Sequence, residues 1–493
     1  MGIVINQSIK NTIITFIGFA IGAANALVMY THFLGEDYYG LTAFLLSTAN
    51  ILMPLMAFGI QNTLVRFYAE HKTEDDKSRF LNLVLVLPLV LIIPLFLGLL
   101  FFYHEIASLL STENPIIYSY VWIIPVIGLL MGYFEIFYAW VKVHLKSVFG
   151  NFIKEVLLRI FISIFLFAVY FEWISKIQFI YSLVLIYFAM MLVMAIVAFK
   201  IRKPAFHLKF PKEKKETIIY SAFIIFSSSI AVMLLDIDKF MIGQYIPLKE
   251  AAYYSVAIFI ALTISVPMRA MHQITHPITT DLMAKKKYLE LNELYKKASI
   301  TLQVVGGLIM LGILTNIHQV YALLPEKYSG GVLVVFIISL SKFFDLMLGN
   351  NNSIIFNSKY YRTVLLLGLC LVVLTVSLNM YFIPNFGIEG AAIATLISIG
   401  LYSLAKLLFV VFKMDLFPFT SKTLVSLGII IVTFILFYFW DFPFHPILNI
   451  LLKSGLVSVF YIFLNYKLVI SIDINQIIDS LIKKFKASSQ KKP

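Results

Sequence analysis

Eight lysines and arginines lie inside long apolar stretches, where a charge is costly and usually faces a cavity or an opposite charge. Arg66, Arg159 and Arg269 are candidates for binding an anionic headgroup, because a planar guanidinium donates paired hydrogen bonds to a phosphate. Two interpretations stay open for the deeper pair, Arg159 and Arg269. They converge on one anionic group such as a lipid diphosphate, or each extends to the inner headgroups. Extension to the headgroups is favoured for Lys154 and Lys406.

Asp236, Asp238 and Lys239 form the densest polar cluster inside an apolar stretch. Asp236 and Lys239 are three residues apart, so they can pair along one face of a helix. The alternative is a coupling site for a proton or another ion, or an outer gate. Lys342 and Asp345 have the same spacing in a later stretch, and pairing is favoured there.

Motifs for several common chemistries are missing from the sequence. It has no GxxxxGK[ST], HExxH or GxSxG pattern. Its one cysteine, Cys370, lies in an apolar run, which excludes a disulfide framework and a cysteine-based metal site. We therefore expect no enzyme, no metal and no cofactor, with proton or sodium coupling as the one ionic requirement to consider.

The composition is that of a membrane protein. Of 493 residues, 60% are hydrophobic and only 13% are charged, with a mean hydropathy of +0.91. Unpaired backbone groups are costly in hydrocarbon, so each apolar run must be helical, and the fold class is all-α. About fourteen transmembrane helices are predicted, at 11–34, 40–68, 80–102, 116–140, 151–171, 177–199, 217–243, 251–275, 298–317, 330–349, 362–383, 388–412, 422–440 and 447–465.

The distribution of basic residues predicts the orientation. With the N-terminus inside, the inner segments hold 28 lysines and arginines and the outer loops hold 3. Cytoplasmic loops carry such an excess, so both termini are predicted to be cytoplasmic and the chain to span the inner (cytoplasmic) membrane. The net charge of +13 then faces anionic membrane lipids, and a nucleic-acid partner is not needed.

A basic stretch at 200–216 divides the predicted helices into two groups. We expect a six-helix lobe at 1–199 and a second six-helix lobe at 217–412. A terminal helix pair follows at 413–466. The tail, 467–493, is amphipathic and basic and is predicted to lie on the inner leaflet.

A weak internal repeat supports the two lobes. HFLGEDYYGLTAFLLSTANILMPL, which contains Tyr38 and Tyr39, is similar to QYIPLKEAAYYSVAIFIALTISVP, which contains Tyr253 and Tyr254. Parallel repeats of this kind are typical of secondary transporters, whose substrate path lies between the lobes. The alternative is chance similarity between two apolar helices.

Uncharged polar residues inside the spans allow two interpretations. Asn25, Asn50 and Gln303 either line a hydrophilic path or form hydrogen bonds between helices, and the second is favoured. Gly18 and Gly22, four residues apart, predict a flat face on the first helix for close packing.

Several stretches resemble one family, the polysaccharide (O-antigen type) flippases of the multidrug/oligosaccharidyl-lipid/polysaccharide exporter superfamily. They are FLGEDYYGLTAFLLS at 33–47, FGIQNTLVRFYAE at 58–70, LDIDKFMIGQYIPLKEAAYYSVA at 235–257 and IPNFGIEGAAIATLIS at 383–398. The resemblance implies a two-lobed bundle that moves a polyprenyl-diphosphate-linked oligosaccharide, a surface polysaccharide repeat unit, by alternating access. Of the candidate site residues, Arg66, Asp236, Asp238 and Lys239 lie within the matched stretches.

Three alternatives to this function remain. A drug/cation antiporter of the same superfamily is expected to carry buried acids in the N-terminal lobe, whose early spans have none here. A flippase for a lipid-linked peptidoglycan precursor shares the anionic cargo. A membrane polysaccharide polymerase or ligase is disfavoured because the predicted outer loops are short. The sequence predicts neither the glycan nor the oligomeric state.

Overall fold

The computed structural model describes residues 2–144, 146–203 and 214–489, and this part of the chain is helical without any strand. The α-helices are α1 (Gly2–Ala24), α2 (Glu36–Met56), α3 (Ile60–Phe67), α4 (Glu74–Val86), α5 (Leu89–Phe101), α6 (Tyr103–Leu110), α7 (Ile123–Val143), α8 (Ser147–Phe152), α9 (Leu158–Tyr170), α10 (Lys176–Ile201), α11 (Lys214–Tyr245), α12 (Leu248–Leu262), α13 (Val266–Ala284), α14 (Tyr288–Thr315), α15 (Ile317–Ala322), α16 (Val332–Met347), α17 (Asn351–Phe356), α18 (Tyr361–Met414), α19 (Ser421–Tyr438), α20 (Pro446–Lys467) and α21 (Ile472–Ser489). Segments of π-helix lie at Asn25–Leu34 and Ile153–Leu157, and 3-10 turns at Tyr68–Glu70, Pro115–Tyr120, Thr263–Ser265 and Glu326–Gly331.

The helices confirm a multi-pass, all-helical membrane protein. Within the described residues, 11 helices are long and apolar enough to cross a membrane. One of them, Arg362–Met414, covers two predicted spans, because a kink at Gly387 joins two helices. Gly387 has φ 59° and ψ −140°, a conformation that a side chain would strain. The prediction of about fourteen spans is consistent with these helices.

The chain packs into two compact units. Unit 1 contains Met1–Val256 and Thr375–Ala391, and unit 2 contains Ala257–Leu374 and Ala392–Pro493. Residues 204–213, the middle of the predicted basic linker, and 490–493, the end of the predicted tail, lie outside the described part. The two predicted lobes therefore stay a prediction.

Helix α7 is the centre of unit 1, and most of its residues are buried, including Trp140. It packs closely on α2, because Gly128 and Gly132 leave no side chain between the two helices. A Cβ atom at Gly132 would lie 3.1 Å from the backbone nitrogen of Ala57. This close approach brings Asn50 of α2 and Glu135 of α7 to the same cavity.

Helix α14 has the corresponding place in unit 2, where it packs against α13, α16, α19 and α20. Gly306 and Gly307 allow the close contacts, since a Cβ atom at either would lie 2.7 Å from Leu346 or Ile430. Gln303, fully buried, donates from Nε2 to the carbonyl oxygen of Thr423 at 3.0 Å. The interhelical hydrogen bond favoured for Gln303 is thus confirmed.

Candidate functional site

A cavity of about 260 Å³ lies within unit 1. It is formed by residues of α2, α7, α9, α10 and the π-helical segment Ile153–Leu157. π-Helical turns are rare and often occur at functional sites. The polar residues that line the cavity are Asn50, Glu135, Lys154, Glu155, Arg159 and Tyr187.

Arg159 lies at the wall of this cavity, between the carboxylate of Glu155 and a notch in α1 that is formed by Gly18 and Gly22. Its guanidinium lies 3.3 Å from Glu155, one turn earlier, and its side chain is 26% exposed. Gly22 makes room for the guanidinium, because a Cβ atom there would lie 3.0 Å from Nε of Arg159. Gly18 makes room for the backbone, since its Cβ atom would lie 2.4 Å from the carbonyl oxygen of Glu155. The flat face predicted on the first helix therefore contacts the arginine segment.

Lys154 forms a second ion pair in the same cavity. Its ammonium group lies 2.5 Å from Oε1 of Glu135, and the two side chains are 46% and 15% exposed. Lys154 was expected to extend to the headgroups, but the structure pairs it with a carboxylate of α7. The cavity thus contains two cations, each with a carboxylate beside it.

Sequence analysis missed both carboxylates. Glu155 could have been predicted as a partner of Arg159, because it lies four residues earlier and therefore on the same helix face. Glu135 is an acid within the predicted span 116–140, and an acid in such a stretch usually has a partner. Its partner, Lys154, is 19 residues away and could be identified only from the packing of α7 against the segment that contains Lys154.

The other two candidate arginines do not line this cavity. Arg66 is exposed at the end of α3, where its guanidinium carbon lies 5.4 Å from the ring centre of Tyr220. Arg269 is exposed on α13, in unit 2. Its predicted convergence with Arg159 stays a prediction.

Two of the uncharged polar residues differ in their contacts. Asn25 is buried and donates from Nδ2 to the carbonyl oxygen of Arg159 at 2.9 Å, so it joins two helical segments as favoured. Its Oδ1 accepts a hydrogen bond from Ser163 at 2.7 Å. Asn50 instead lines the cavity, which supports the hydrophilic interpretation for that residue.

The acidic cluster of α11 divides into two parts. Asp236 and Lys239 form the ion pair that their spacing allows, at 2.8 Å. Asp238 is 4% exposed and accepts hydrogen bonds from the Tyr254 hydroxyl at 2.6 Å and from Nδ2 of Asn379 at 2.8 Å. The Asp238 carboxylate therefore connects α11, α12 and α18 within unit 1.

Unit 2 corrects one expectation. Lys406 does not extend to the headgroups, because its side chain is 1% exposed and its ammonium lies 3.1 Å from Oδ1 of Asp345. Asn352 also accepts a hydrogen bond from it, at 3.2 Å, and the Tyr402 ring centre lies 4.2 Å away. Asp345 thus pairs with a lysine 61 residues away in sequence, and Lys342, its expected partner, also interacts with it electrostatically.

Known structures share this fold. The lipid II flippase MurJ in an inward closed conformation is 17% identical, with a TM-score of 0.75. The match covers 94% of this chain and 100% of the MurJ chain. An inward-facing multidrug resistance MATE family transporter of the MOP superfamily is 13% identical, with a TM-score of 0.63, over 83% of this chain and 98% of its own. A MOP superfamily transporter from Pyrococcus furiosus is 13% identical, with a TM-score of 0.56, over 84% and 95%.

A search of curated proteins finds no match. The structural similarities establish the fold of the MOP superfamily transporters, the superfamily that the sequence motifs predicted. A family model described as "Polysaccharide biosynthesis protein" matches residues 8–283, more than half of the chain. The chain therefore belongs to the polysaccharide biosynthesis protein family.

Proposed function

We propose that the chain is a flippase that moves a polyprenyl-diphosphate-linked oligosaccharide across the cytoplasmic membrane by alternating access. Membership of a polysaccharide biosynthesis family and the transporter fold support this function. The observation that carries it is Arg159, a partly exposed guanidinium at a polar cavity among membrane helices. A guanidinium there donates paired hydrogen bonds to a phosphate of the diphosphate.

The two ion pairs of the cavity suggest how cargo enters and leaves. A partly exposed ion pair is weak, so a diphosphate can replace Glu155 at Arg159 and Glu135 at Lys154. When the cargo leaves, each carboxylate returns to its cation. Neither Arg159 nor Lys154 is then left without a partner inside the membrane, which would be costly. Asn50 offers hydrogen bonds to sugar hydroxyls.

The cargo is proposed to enter from the cytoplasm, the side on which the distribution of basic residues predicts both termini to lie. Arg269 is proposed as a second cation for the same diphosphate, supplied by the second lobe. Arg66, which lies in a matched family motif, is proposed to attract anionic lipid at the entrance. These roles rest on residue type and predicted depth.

Replacing Arg159 or Arg269 with alanine is expected to reduce surface polysaccharide at least tenfold, since loss of one charged hydrogen-bonding partner costs about 1.5–3 kcal/mol. Membrane insertion should be unchanged, and stability should fall by no more than about 1 kcal/mol because the Arg159 ion pair is partly exposed. Polysaccharide is measured on cells, and protein level in isolated membranes. Arg79→Ala is the matched control, since Arg79 pairs with Asp75 at the same spacing but does not line the cavity.

Polysaccharide at the wild-type level in both R159A and R269A cells would contradict the diphosphate role. Two other cargoes have specific support. The fold match to the lipid II flippase favours a peptidoglycan precursor, which is tested by offering each lipid-linked substrate to the purified protein in proteoliposomes. Glu135 and Glu155 favour a cationic drug, in which case E135Q should abolish its export and R159A should not.

Coupling to a proton or sodium gradient is proposed to act at Asp238. Its carboxylate accepts hydrogen bonds from α12 and α18, so a change in its charge affects three helices at once. Asp238→Asn should therefore make transport in proteoliposomes independent of an imposed pH or sodium gradient. Asp236→Asn, which changes the neighbouring ion pair, is the control, and a D238N protein that keeps its gradient dependence would exclude the assignment.

A further inference from the structure

A second cavity, of about 660 Å³, lies within unit 2 and is separate from the proposed transport site. Three turns of the chain form it. The first joins α13 to α14, the second is 357–360 before α18, and the third is 412–415 at the end of α18. All three turns belong to segments that the basic residues predict to be cytoplasmic.

The three turns are held by a common apolar cluster, so the cavity has a packed base. Met283 and Met414 belong to the cavity lining and also pack on this cluster. The buried residues of the cluster are Leu282, Leu291, Tyr295, Ile354, Ile355, Val410 and Leu416. Hydrogen bonds add to it, since Thr280 donates to Oδ1 of Asn357 at 3.1 Å across two of the turns.

Two lysines at this end of unit 2 already have carboxylate partners. Lys285 pairs with Asp281 at 2.8 Å, and Lys287 pairs with Glu290 at 2.7 Å, and neither lines the cavity. The hydrogen bond that Lys287 donates to Glu290 raises the pKa of Lys287.

Lys359 and Lys413 do line the cavity, and neither forms an ion pair with any described carboxylate. The Lys359 ammonium lies 5.1 Å from the ring centre of Tyr360. Two cations without a carboxylate partner among the described residues therefore face the cavity.

The rest of the lining defines the ligand. Asp415 also contributes, so two lysines and one carboxylate leave the cavity with one net positive charge, which matches one phosphodiester. Tyr288, half exposed, places a hydroxyl donor there. Phe412, 78% exposed, and the two methionines provide an apolar wall, which a hydrocarbon chain requires and an inorganic ion does not.

We propose that this cavity binds the headgroup of an anionic phospholipid with a single phosphodiester, such as phosphatidylglycerol, from the leaflet that these turns face. Lys359 and Lys413 contact the phosphate, and the acyl chains lie along Phe412. Basic pockets between membrane helices on the cytoplasmic side bind lipid headgroups in this way. The inference does not depend on the cargo of the transporter.

The test uses the full-length protein in nanodiscs, titrated with phosphatidylglycerol in a phosphatidylcholine background and read by native mass spectrometry. K359Q/K413Q should lose one bound phosphatidylglycerol, with affinity reduced about 30-fold, because each lysine near an anionic surface contributes about 1 kcal/mol. K359R/K413R should retain it. K285Q/K287Q is the matched control, since those lysines lie at the same end of unit 2 but already have carboxylate partners.

Equal lipid binding by K359Q/K413Q and the wild-type protein would overturn the proposal. Displacement of phosphatidylglycerol by millimolar inorganic phosphate would assign the cavity to a free anion instead of a lipid. Loss of lipid binding in R159A together with unchanged binding in K359Q/K413Q would place the lipid in the transport cavity. A thermal unfolding curve for each variant separates loss of binding from loss of folding.

Discussion

Each unit contains a cation inside the membrane helices, and the two cations have different surroundings. Arg159 of unit 1 is 26% exposed at a cavity and lies 3.3 Å from a carboxylate that is 20% exposed. Lys406 of unit 2 is 1% exposed, and its ammonium contacts Asp345, which is 26% exposed, together with Asn352 and the Tyr402 ring.

The difference shows how burial decides what an intramembrane ion pair can do. A cation at a cavity can exchange its carboxylate for a ligand, because water and ligand both reach it. A cation without access to water can only keep its partner, since separating a buried pair leaves an uncompensated charge. Sequence places both residues inside apolar stretches, but only the structure shows that Arg159 lies at a cavity and that Lys406 is buried.

The largest expected effect is on the ion pair of the buried Lys406 with the partly exposed Asp345. Asp345→Asn removes the charged partner of Lys406 and should reduce the free energy of unfolding by about 3 kcal/mol, the usual cost of breaking a buried ion pair. D345N/K406M, which removes both charges, should recover most of this loss. The measurement is an unfolding titration in detergent. An unchanged stability of D345N would remove the contrast with Arg159.

A smaller effect is expected at the notch that holds Arg159. Gly18→Ala places its Cβ atom against the Glu155 backbone, which cannot move alone, and should destabilise the protein by about 1–3 kcal/mol. Gly22→Ala meets only the flexible Arg159 side chain, so stability should stay within about 1 kcal/mol. The displaced guanidinium should nevertheless lower transport several-fold in proteoliposomes.

The two glycine variants therefore sharpen the comparison, because they test whether Arg159 can move without unfolding unit 1. Equal destabilisation by G18A and G22A would mean that Arg159 is fixed as firmly as Lys406. Unfolding titrations on both variants, prepared in the same detergent, decide between these outcomes.

The helical architecture was predictable because hydrocarbon permits few backbone conformations, and each predicted span is largely helical in the structure. It was also predictable that Arg159 contacts an opposite charge or a cavity, since a charge inside an apolar run is rare. The partners of the charged residues were harder to predict. The pairing of Glu155 with Arg159 could be predicted, because residues four apart lie on the same face of a helix. The pairing of Lys406 with Asp345 joins residues 61 positions apart. Such a contact depends on which helices pack together, and a single sequence does not encode that choice in any local pattern.

Unit 1 is not continuous in the chain, because it includes Thr375–Ala391. Asp238 accepts a hydrogen bond from Asn379, which follows it by 141 residues. At a synthesis rate of roughly 5–20 residues per second, the ribosome makes Asn379 about 7 to 28 seconds after Asp238. During that interval the acidic side chain is already part of an inserted or inserting helix without its later partner. Biogenesis of this protein therefore includes a period in which Tyr254 is available to Asp238 but Asn379 is not, and unit 1 is completed only after much of unit 2 has been translated.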